Sequence, residues 1–445
     1  MMKLKLPQHV QKLIEELEKN GHSAYVVGGG VRDSLRGAVP EDYDVATSAK
    51  PWEVKEIFHS MRVVETGIRH GTVTVIDGGK PVEITTYRMD GQYSDCRHPD
   101  RVTFTDSILE DLSRRDFTIN AIAYNERIGL VDKFGGEADI RNKVIRCVGA
   151  PDERFQEDAL RILRAIRFMA QTGFEIHRTT YLAMTRHKEN LRNVAGERIQ
   201  KEIDKIIMGR YAAPALFKCS SILAVVFPEL QEEFLCHQHS VHHYYDVWEH
   251  TVRAVSVSAY DRMVRLTMLF HDVGKPATKC FDNLGRGHFP GHAKIGAKIA
   301  ENTLQRLHYD RETVETVGFL IDNHSLDLGM DEKIVRRRLA KMGEVNFRRL
   351  IQVQKADCCG KGHDYARLAR LLQTERILQT VLQKQQCFCL KHLAVNGNDL
   401  LELGLCGKEV GRVLQLLLDK VLEDQSLNNP VILKELARNE VPYDG

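Results

Sequence analysis

Up to residue 150 the chain keeps changing its hydrophobic period, and beyond Pro151 it holds to one. In the first stretch, helix-like and strand-like segments alternate. A helical pattern over residues 8–19 passes through Asn20-Gly21 into the short apolar strand AYVV, and GGGVRD then opens a second helix. A strand-like YDVAT follows, then a helix PWEVKEIFHSM. Two further strands, TVTVI and VEITTYR, are joined by Asp77-Gly78-Gly79-Lys80 as a hairpin loop. From 152 to about 440 nearly everything recurs at helical spacing, with turn-rich breaks near 209–214, 282–291 and 359–363 that suggest subdivisions. No internal repeat or low-complexity tract is visible. The pattern predicts an α+β chain, with a head on a small mixed sheet followed by an all-α remainder.

At 445 residues the chain is too long for one core, and about three domains are expected. Apolar content of 43% and charged content of 28% describe an ordinary soluble globular protein. The net charge is only +2, so nucleic-acid binding would have to come from local basic patches. Ten cysteines occur without a CxxC pair, and the Cys358–Cys359 and Cys387/Cys389 spacings suit a zinc cage poorly. Free thiols in a reducing cytoplasm are the expectation. The N-terminal MMKLKLPQHVQKLIEELEKN carries charges throughout rather than a signal-peptide core, and no run reaches transmembrane length. A cytoplasmic protein without membrane contact is therefore expected.

Four short stretches carry chemistry. In GGGVRD, residues 28–33, the glycines let a backbone approach a ligand, though a structural tight turn explains them equally well. Asp42 and Asp44 are two apart, which on a strand projects both carboxylates to one face. Such a pair is unfavourable unless a cation sits between, and Mg²⁺ takes carboxylate oxygens together with substrate phosphates. In LSRRDFTINAIAY, residues 112–124, Arg114 or Arg115 could grip a triphosphate, or the two could simply form a surface ion-pair cluster. FQEDALRILRAIRF, residues 155–168, reads as one amphipathic helix with Leu160, Leu163, Ile166 and Phe168 on its apolar stripe. Its Arg161, Arg164 and Arg167 recur every third residue after Glu157-Asp158, and local ion pairing alone would account for that.

Taken together and in order, GG-x-VRD, D-x-D, RRDFTINA and ED-x-x-R-x-x-R resemble the motifs of the CCA-adding tRNA nucleotidyltransferases. These are the class of the polymerase β superfamily found in bacteria and eukaryotes. The resemblance covers residues 23–210 with no motif residue missing. It extends to LRNVAGERIQKEIDKII (191–207), similar to the family's RNA-binding neck, and to LAVNGNDLLELGL (393–405), similar to its tail. The resemblance implies four parts: a nucleotidyltransferase head (1–150), a base-selecting and RNA-binding neck (151–215), a region 216–365, and a tRNA-binding tail (366–445). It also implies roles. Gly29 and Arg32 would contact the nucleotide's phosphates and sugar, Asp42 and Asp44 would hold Mg²⁺, and Arg115 would bind the triphosphate. Asp158, Arg161, Arg164 and Arg167 would line the base and phosphate pocket. Glu83, in VEITTYR, is a candidate third acid near the metal.

This gives the arginine-rich helix a chemical purpose. Cytosine and adenine each present an amino donor beside a ring-nitrogen acceptor, whereas uracil and guanine present the reverse. One carboxylate (Asp158) and one guanidinium (Arg161) would satisfy C and A and leave U and G mispaired, at about 1–3 kcal/mol per unpaired buried group.

Of nineteen histidines, nine cluster: His237, His239, His242, His243, His250, His271, His288, His292 and His324. About half of these are expected on helix surfaces. His250, the adjacent His271-Asp272 and Asp357 resemble the H…HD…D pattern of an HD domain in the region 216–365, with His292 and His324 available to complete a second metal site. Imidazole and carboxylate ligands suit Mn, Fe, Ni, Zn or Mg, and a metal-bound hydroxide would cleave phosphoesters.

The leading expectation is an enzyme that adds C, C and A to the tRNA 3′ end from CTP and ATP, with Mg²⁺ and without a nucleic-acid template. A poly(A) polymerase and a CC- or A-adding partial enzyme stay open as alternatives. So does an HD phosphohydrolase whose head only binds RNA. The segment YRMDGQYSDCRHPDRVTF (87–104), similar to the flexible-loop region of full CCA-adding members, weighs against a partial enzyme, and the intact Asp42/Asp44 pair weighs against a dead head.

Overall fold

The computed structural model describes residues 4–68, 71–91, 102–238, 245–362 and 364–440. Most of the expected loop segment (92–101), together with His239, His242 and His243, lies outside the described residues. The chain divides into two compact units, Met1–Pro228 and Glu229–Gly445. The division does not fall at the turn-rich 209–214, because the helix after that break packs back onto the first unit.

The first unit opens with α1 (Gln8–Lys19), which buries Val10, Leu13, Ile14 and Leu17, spaced three and four apart as an amphipathic helix requires. A seven-stranded sheet follows, built from β1 (Ala24–Val27), β2 (Asp44–Thr47), β3 (Arg62–Gly67), β4 (Thr72–Asp77), β5 (Lys80–Thr86), β8 (Ala123–Asn125) and β9 (Gly129–Val131). Between them, β6 (Arg88–Asp90) and β7 (Val102–Phe104) form a small separate ladder. The sheet order is β3-β4-β5-β2-β1-β8-β9. Only β2 and β5 run parallel, so the sheet is mixed, as expected. The hairpin through Asp77–Lys80 also forms where the loop residues place it.

β3 was not legible as a strand. It lies at the sheet edge, where Val63 and Val64 are both only half-buried, so its residues do not alternate between apolar and polar. Around the sheet lie α2 (Gly29–Leu35), α3 (Pro51–Ile57), α4 (Ile108–Ser113) and α5 (Gly136–Arg141). Tyr25, Val27, Ala46 and Ala123 pack with Tyr87, Leu112, Ala121 and Val148 into a core directly behind the glycine turn. The helical part of this unit comprises α6 (Pro151–Glu157), α7 (Leu160–Thr172), α8 (Arg178–His187), α9 (Gly196–Ile207), α10 (Ala212–Lys218) and α11 (Ser220–Val226).

The second unit is almost entirely helical: α12 (Val247–Val257), α13 (Arg262–Phe270), α14 (Lys275–Thr278), α15 (His292–Arg306), α16 (Arg311–Asp322), α17 (Glu332–Lys361) and α18 (Tyr365–Gln383). The expected break at 282–291 contains a two-residue-per-strand hairpin, Cys280–Phe281 against Gly287–His288. Within α17 the backbone leaves helical geometry at Gly343, with φ 76° and ψ 161°. α19 (Gly397–Leu401), α20 (Lys408–Glu423) and α21 (Pro430–Arg438) close around Val395, Leu400, Leu405, Val413, Leu417 and Leu433. The nine cysteines among the described residues are free thiols. Among those residues, no helix is long and apolar enough to cross a membrane.

Candidate active site

β1 ends at Val27 and the chain reverses through Gly28 into α2. Gly28 has φ 67°, and a Cβ there would stand 3.3 Å from Arg115 Nη1 and 3.9 Å from Asp44 Oδ2. Glycine is thus required both by the left-handed backbone and by the close approach of two charged groups. Asp44 is the first residue of β2, while Asp42 lies just before the strand, more exposed. Glu83 stands on β5 one residue before Ile84, which pairs with Val45, so Asp44 and Glu83 are neighbours on one face of the sheet. Burial, then Asp42, then Glu83 push the Asp44 carboxyl up to about 6, against the opposing pull of Arg115. Asp44 at the start of the buried β2 is close enough to Asp42 and Glu83 to feel their charge, and a hard divalent cation, which takes carboxylate oxygens, would relieve that repulsion. Arg115 is held from behind by Asp111, 3.0 Å from its Nη2.

The segment 155–168 is not one helix. α6 ends at Glu157, Asp158 turns extended (φ −148°, ψ 104°), and α7 starts at Leu160. The Asp158 carboxylate accepts from the Leu160 N–H at 3.0 Å through Oδ1 and from Arg198 Nη2 at 2.8 Å through Oδ2. Aspartate favours such local capping over a place inside a helix, and that preference overrides the apolar periodicity. The expected Asp158–Arg161 pairing on one helix face therefore does not form. Arg161 instead donates to Glu157 at 2.5 Å and to the carbonyls of Arg154 (3.3 Å) and Arg114 (3.2 Å).

Arg164 binds Asp116, its Nε 2.7 Å from Oδ2. Burial works against ionisation of Asp116, but Arg164 and the Asn120 amide outweigh it and hold the carboxyl down at about 2. Arg167, buried, donates to Glu202 Oε1 at 2.9 Å. Arg32 is fixed by Asp33 and by Asn120, 2.8 Å from its Nη1.

Asp42, Asp44, Glu83, Gly29, Arg32, Arg115, Asp158, Arg161, Arg164 and Arg167 all line one cavity of about 1070 Å³. Sequence reasoning missed Arg198, which grips Asp158, and gave no role to Asp116 or Asn120. An arginine on an amphipathic helix forty residues away gives no sequence signal of what it meets.

In the second unit the HD-like residues come together. α13 buries Met263 through Phe270, which carries His271 and Asp272 into the interior. His250 on α12 places its Nε2 3.0 Å from His271 Nε2 and 3.1 Å from Asp357 Oδ1 of α17. On the other side of Asp272, His292 and His324 bring their Nε2 atoms to 3.3 Å, with His292 Nε2 3.8 Å from Asp272 Oδ1.

His271, His292 and His324 each direct Nδ1 at a carbonyl, of Met268 (2.8 Å), Phe289 (2.7 Å) and Ile321 (2.7 Å). A carbonyl only accepts, so Nδ1 donates and each ring turns its Nε2 inward, where the neutral form offers a lone pair to a cation. The ligand atoms of His250, His271 and Asp272, and those of Asp272, His292 and His324, lie close enough together to hold a metal ion on either side of Asp272. Burial opposes protonation of His271, yet the Asp272 carboxylate, with help from Asp357, pushes it up to about 9. Burial and the nearby His271 push His324 down to about 4. His288 stands apart, beside Asp282 on the 280–288 hairpin.

Three families match in order: one described as the poly A polymerase head domain over residues 24–146, one as a probable RNA and SrmB-binding site of polymerase A over 173–234, and the HD domain over 242–360. A CCA-adding enzyme of Leuconostoc citreum is 49% identical over 214 residues, 47% of this chain and 53% of that protein. One of Geobacillus kaustophilus is 46% identical over 204 residues, 46% of this chain and 50% of that protein. The chain thus spans about half the length of the curated relatives it matches. The crystal structure of the Bacillus stearothermophilus CCA-adding enzyme in complex with CTP covers 97% of this chain and 98% of its own, at TM-score 0.71 and 28% identity. The Thermotoga maritima CCA-adding enzyme complexed with tRNA shares the fold, at TM-score 0.57 and 20% identity over 98% of this chain and 97% of its own. The chain thus carries a poly A polymerase-type head, an RNA-binding region and an HD domain in that order, and it is similar in fold to CCA-adding enzymes.

Proposed function

We propose that the chain adds C, C and A to the 3′ end of tRNA in the cytoplasm, using CTP and ATP and no nucleic-acid template. The observation that carries this reading is the one cavity lined both by the carboxylates of Asp42, Asp44 and Glu83 and by the arginines of α7. Asp42 and Asp44 would hold a divalent metal, which we assign to Mg²⁺. Bound there, it supplies charge stabilisation for the attacking 3′-oxygen and the leaving pyrophosphate. Arg115, kept in place by Asp111, meets the triphosphate, and Gly29 and Arg32 meet phosphate and sugar. Arg164 and Arg167 are anchored on Asp116 and Glu202, which leaves other N–H groups for the nucleotide.

Asp158 offers an acceptor to the exocyclic amine of C or A, and Arg161 a donor to the adjacent ring nitrogen. Each Asp158 oxygen has one hydrogen bond in place and a lone pair left for the base. Uracil and guanine would set donor against donor and acceptor against acceptor. The arrangement into a head (1–150), a neck (151–215), an HD domain (216–365) and a tail (366–445) belongs to this reading, with the neck and tail contacting tRNA.

The His/Asp cluster supports a second, separate activity. His250, His271, Asp272 and Asp357, with His292 and His324, would hold one or two transition-metal ions (Mn, Fe, Ni or Zn) for phosphoester hydrolysis.

Sequencing the 3′ ends of a tRNA transcript lacking CCA, after incubation with all four NTPs, tests the main reading. CCA ends are expected from the wild-type chain. Asp42→Ala or Asp44→Ala should reduce addition more than a hundredfold while tRNA is still bound through the neck and tail. Oligo(A) ends, or turnover within tenfold of wild type in both variants, would refute it.

A further inference from the structure

Three of the cavity's arginines surround one aromatic ring. The guanidinium carbons of Arg167, Arg32 and Arg164 lie 4.5, 5.1 and 5.8 Å from the centre of the Phe168 ring, all within cation–π range. The ring is 3% exposed yet lines the cavity, and it is braced by Phe117 edge to face at 5.7 Å and 84°. The three cations come from two elements, Arg32 from α2 and the other two from α7. They also oppose one another: burial first, then Arg164 and, more weakly, Arg32 push the Arg167 guanidinium below its ordinary value. Each also has a carboxylate anchor, in Asp33, Asp116 or Glu202.

We propose that Phe168 is a positioning residue for the nucleotide, its ring holding Arg32, Arg164 and Arg167 together so that their remaining N–H groups meet one anionic ligand. A carboxylate in the same place would attract the cations equally well, but it would take the donors that the triphosphate needs. A ring face draws the guanidinium groups by its quadrupole and leaves their N–H edges free for phosphate oxygens. It also keeps mutually repelling cations in place before the ligand arrives, which lowers the ordering cost of binding.

The inference rests on the cavity being the nucleotide site, and Arg115→Ala serves as the control for that. Phe168→Leu removes the ring while keeping most of the volume, and Phe168→Tyr keeps the ring. The measurement is KM and kcat for CTP and for ATP on matched tRNA transcripts, together with the melting temperature of each variant. Phe168→Leu should raise KM for both nucleotides alike, by about five- to thirty-fold, with kcat within about twofold and Phe168→Tyr close to wild type. If the leucine variant does not fold, Phe168→Met fills the space with an adaptable side chain and carries the same expectation. An unchanged KM in the ring-free variant, or an equal loss in the leucine and tyrosine variants that follows melting temperature, overturns the positioning role. If Arg115→Ala also leaves KM unchanged, the cavity reading itself fails and the role of the ring falls with it.

Discussion

Asp116 shows how a single side chain can fix two arginines of the cavity. It is buried, it binds Arg164 through Oδ2 and the Asn120 amide through Oδ1, and Asn120 in turn holds Arg32. Its carboxyl sits at about 2 in the fold against an ordinary 3.8. Because the folded value is the lower one, the ionised group stabilises the fold above pH 4, by about 2 kcal/mol, and that contribution is lost as pH falls from 4 toward 2. Asp116→Asn should therefore lose at least about 2 kcal/mol by urea unfolding at pH 7, and the gap to wild type should narrow by about 1 kcal/mol at pH 3. A gap of the same size at both pH values would show that Asp116 is not ionised against Arg164. At this scale the sequence was informative about residue type. Asp42, Asp44, Arg115 and the arginine row were singled out from spacing and motif. It was silent about partners: Arg161 turned out to rest on Glu157, and Arg198 on Asp158, because pairing across elements depends on packing that no local pattern encodes.

At the level of elements, the break between α6 and α7 decides where the Asp158 carboxylate lies in the cavity. As a residue inside a helix, Asp158 would be one more surface acid. As the turn between two helices it caps Leu160 and is clamped by Arg198 from α9, which fixes its carboxylate in the cavity. The long amphipathic helices, the hairpin at Asp77–Lys80 and the glycine turn were all legible, since each has strong periodicity or dedicated turn residues. The break was not, because the apolar stripe continues across it and only the capping chemistry of one aspartate interrupts the backbone. Asp158→Ala, Arg161→Ala and Arg198→Ala should each lower the ratio of kcat/KM for CTP over UTP on a tRNA ending at the discriminator base. Asp158→Ala should lower it by about tenfold or more. If Asp158 is only a helix cap, its alanine variant should lose about 1 kcal/mol of stability with the ratio unchanged.

Across the whole molecule, two centres of different chemistry lie in two separate compact units. The first combines the carboxylates of Asp42, Asp44 and Glu83 with arginines, the pattern for an anionic nucleotide and a hard cation. The second combines inward-facing imidazoles with Asp272 and Asp357, the pattern for a softer metal. His271→Ala combined with Asp272→Ala should abolish metal binding and any phosphoesterase activity of the second unit while CCA addition stays within about twofold of wild type. A collapse of addition in a variant that still folds would mean that the two centres are coupled. The central claim, that one pocket adds C, C and A in order, is tested most directly by the mass of a tRNA transcript ending at the discriminator base. The transcript is incubated with CTP alone, with ATP alone, or with both. The account predicts a gain of two C with CTP alone, little or no extension with ATP alone, and a gain of CCA with both. An A tail with ATP alone, or a product that stops at two C when both nucleotides are present, would contradict it.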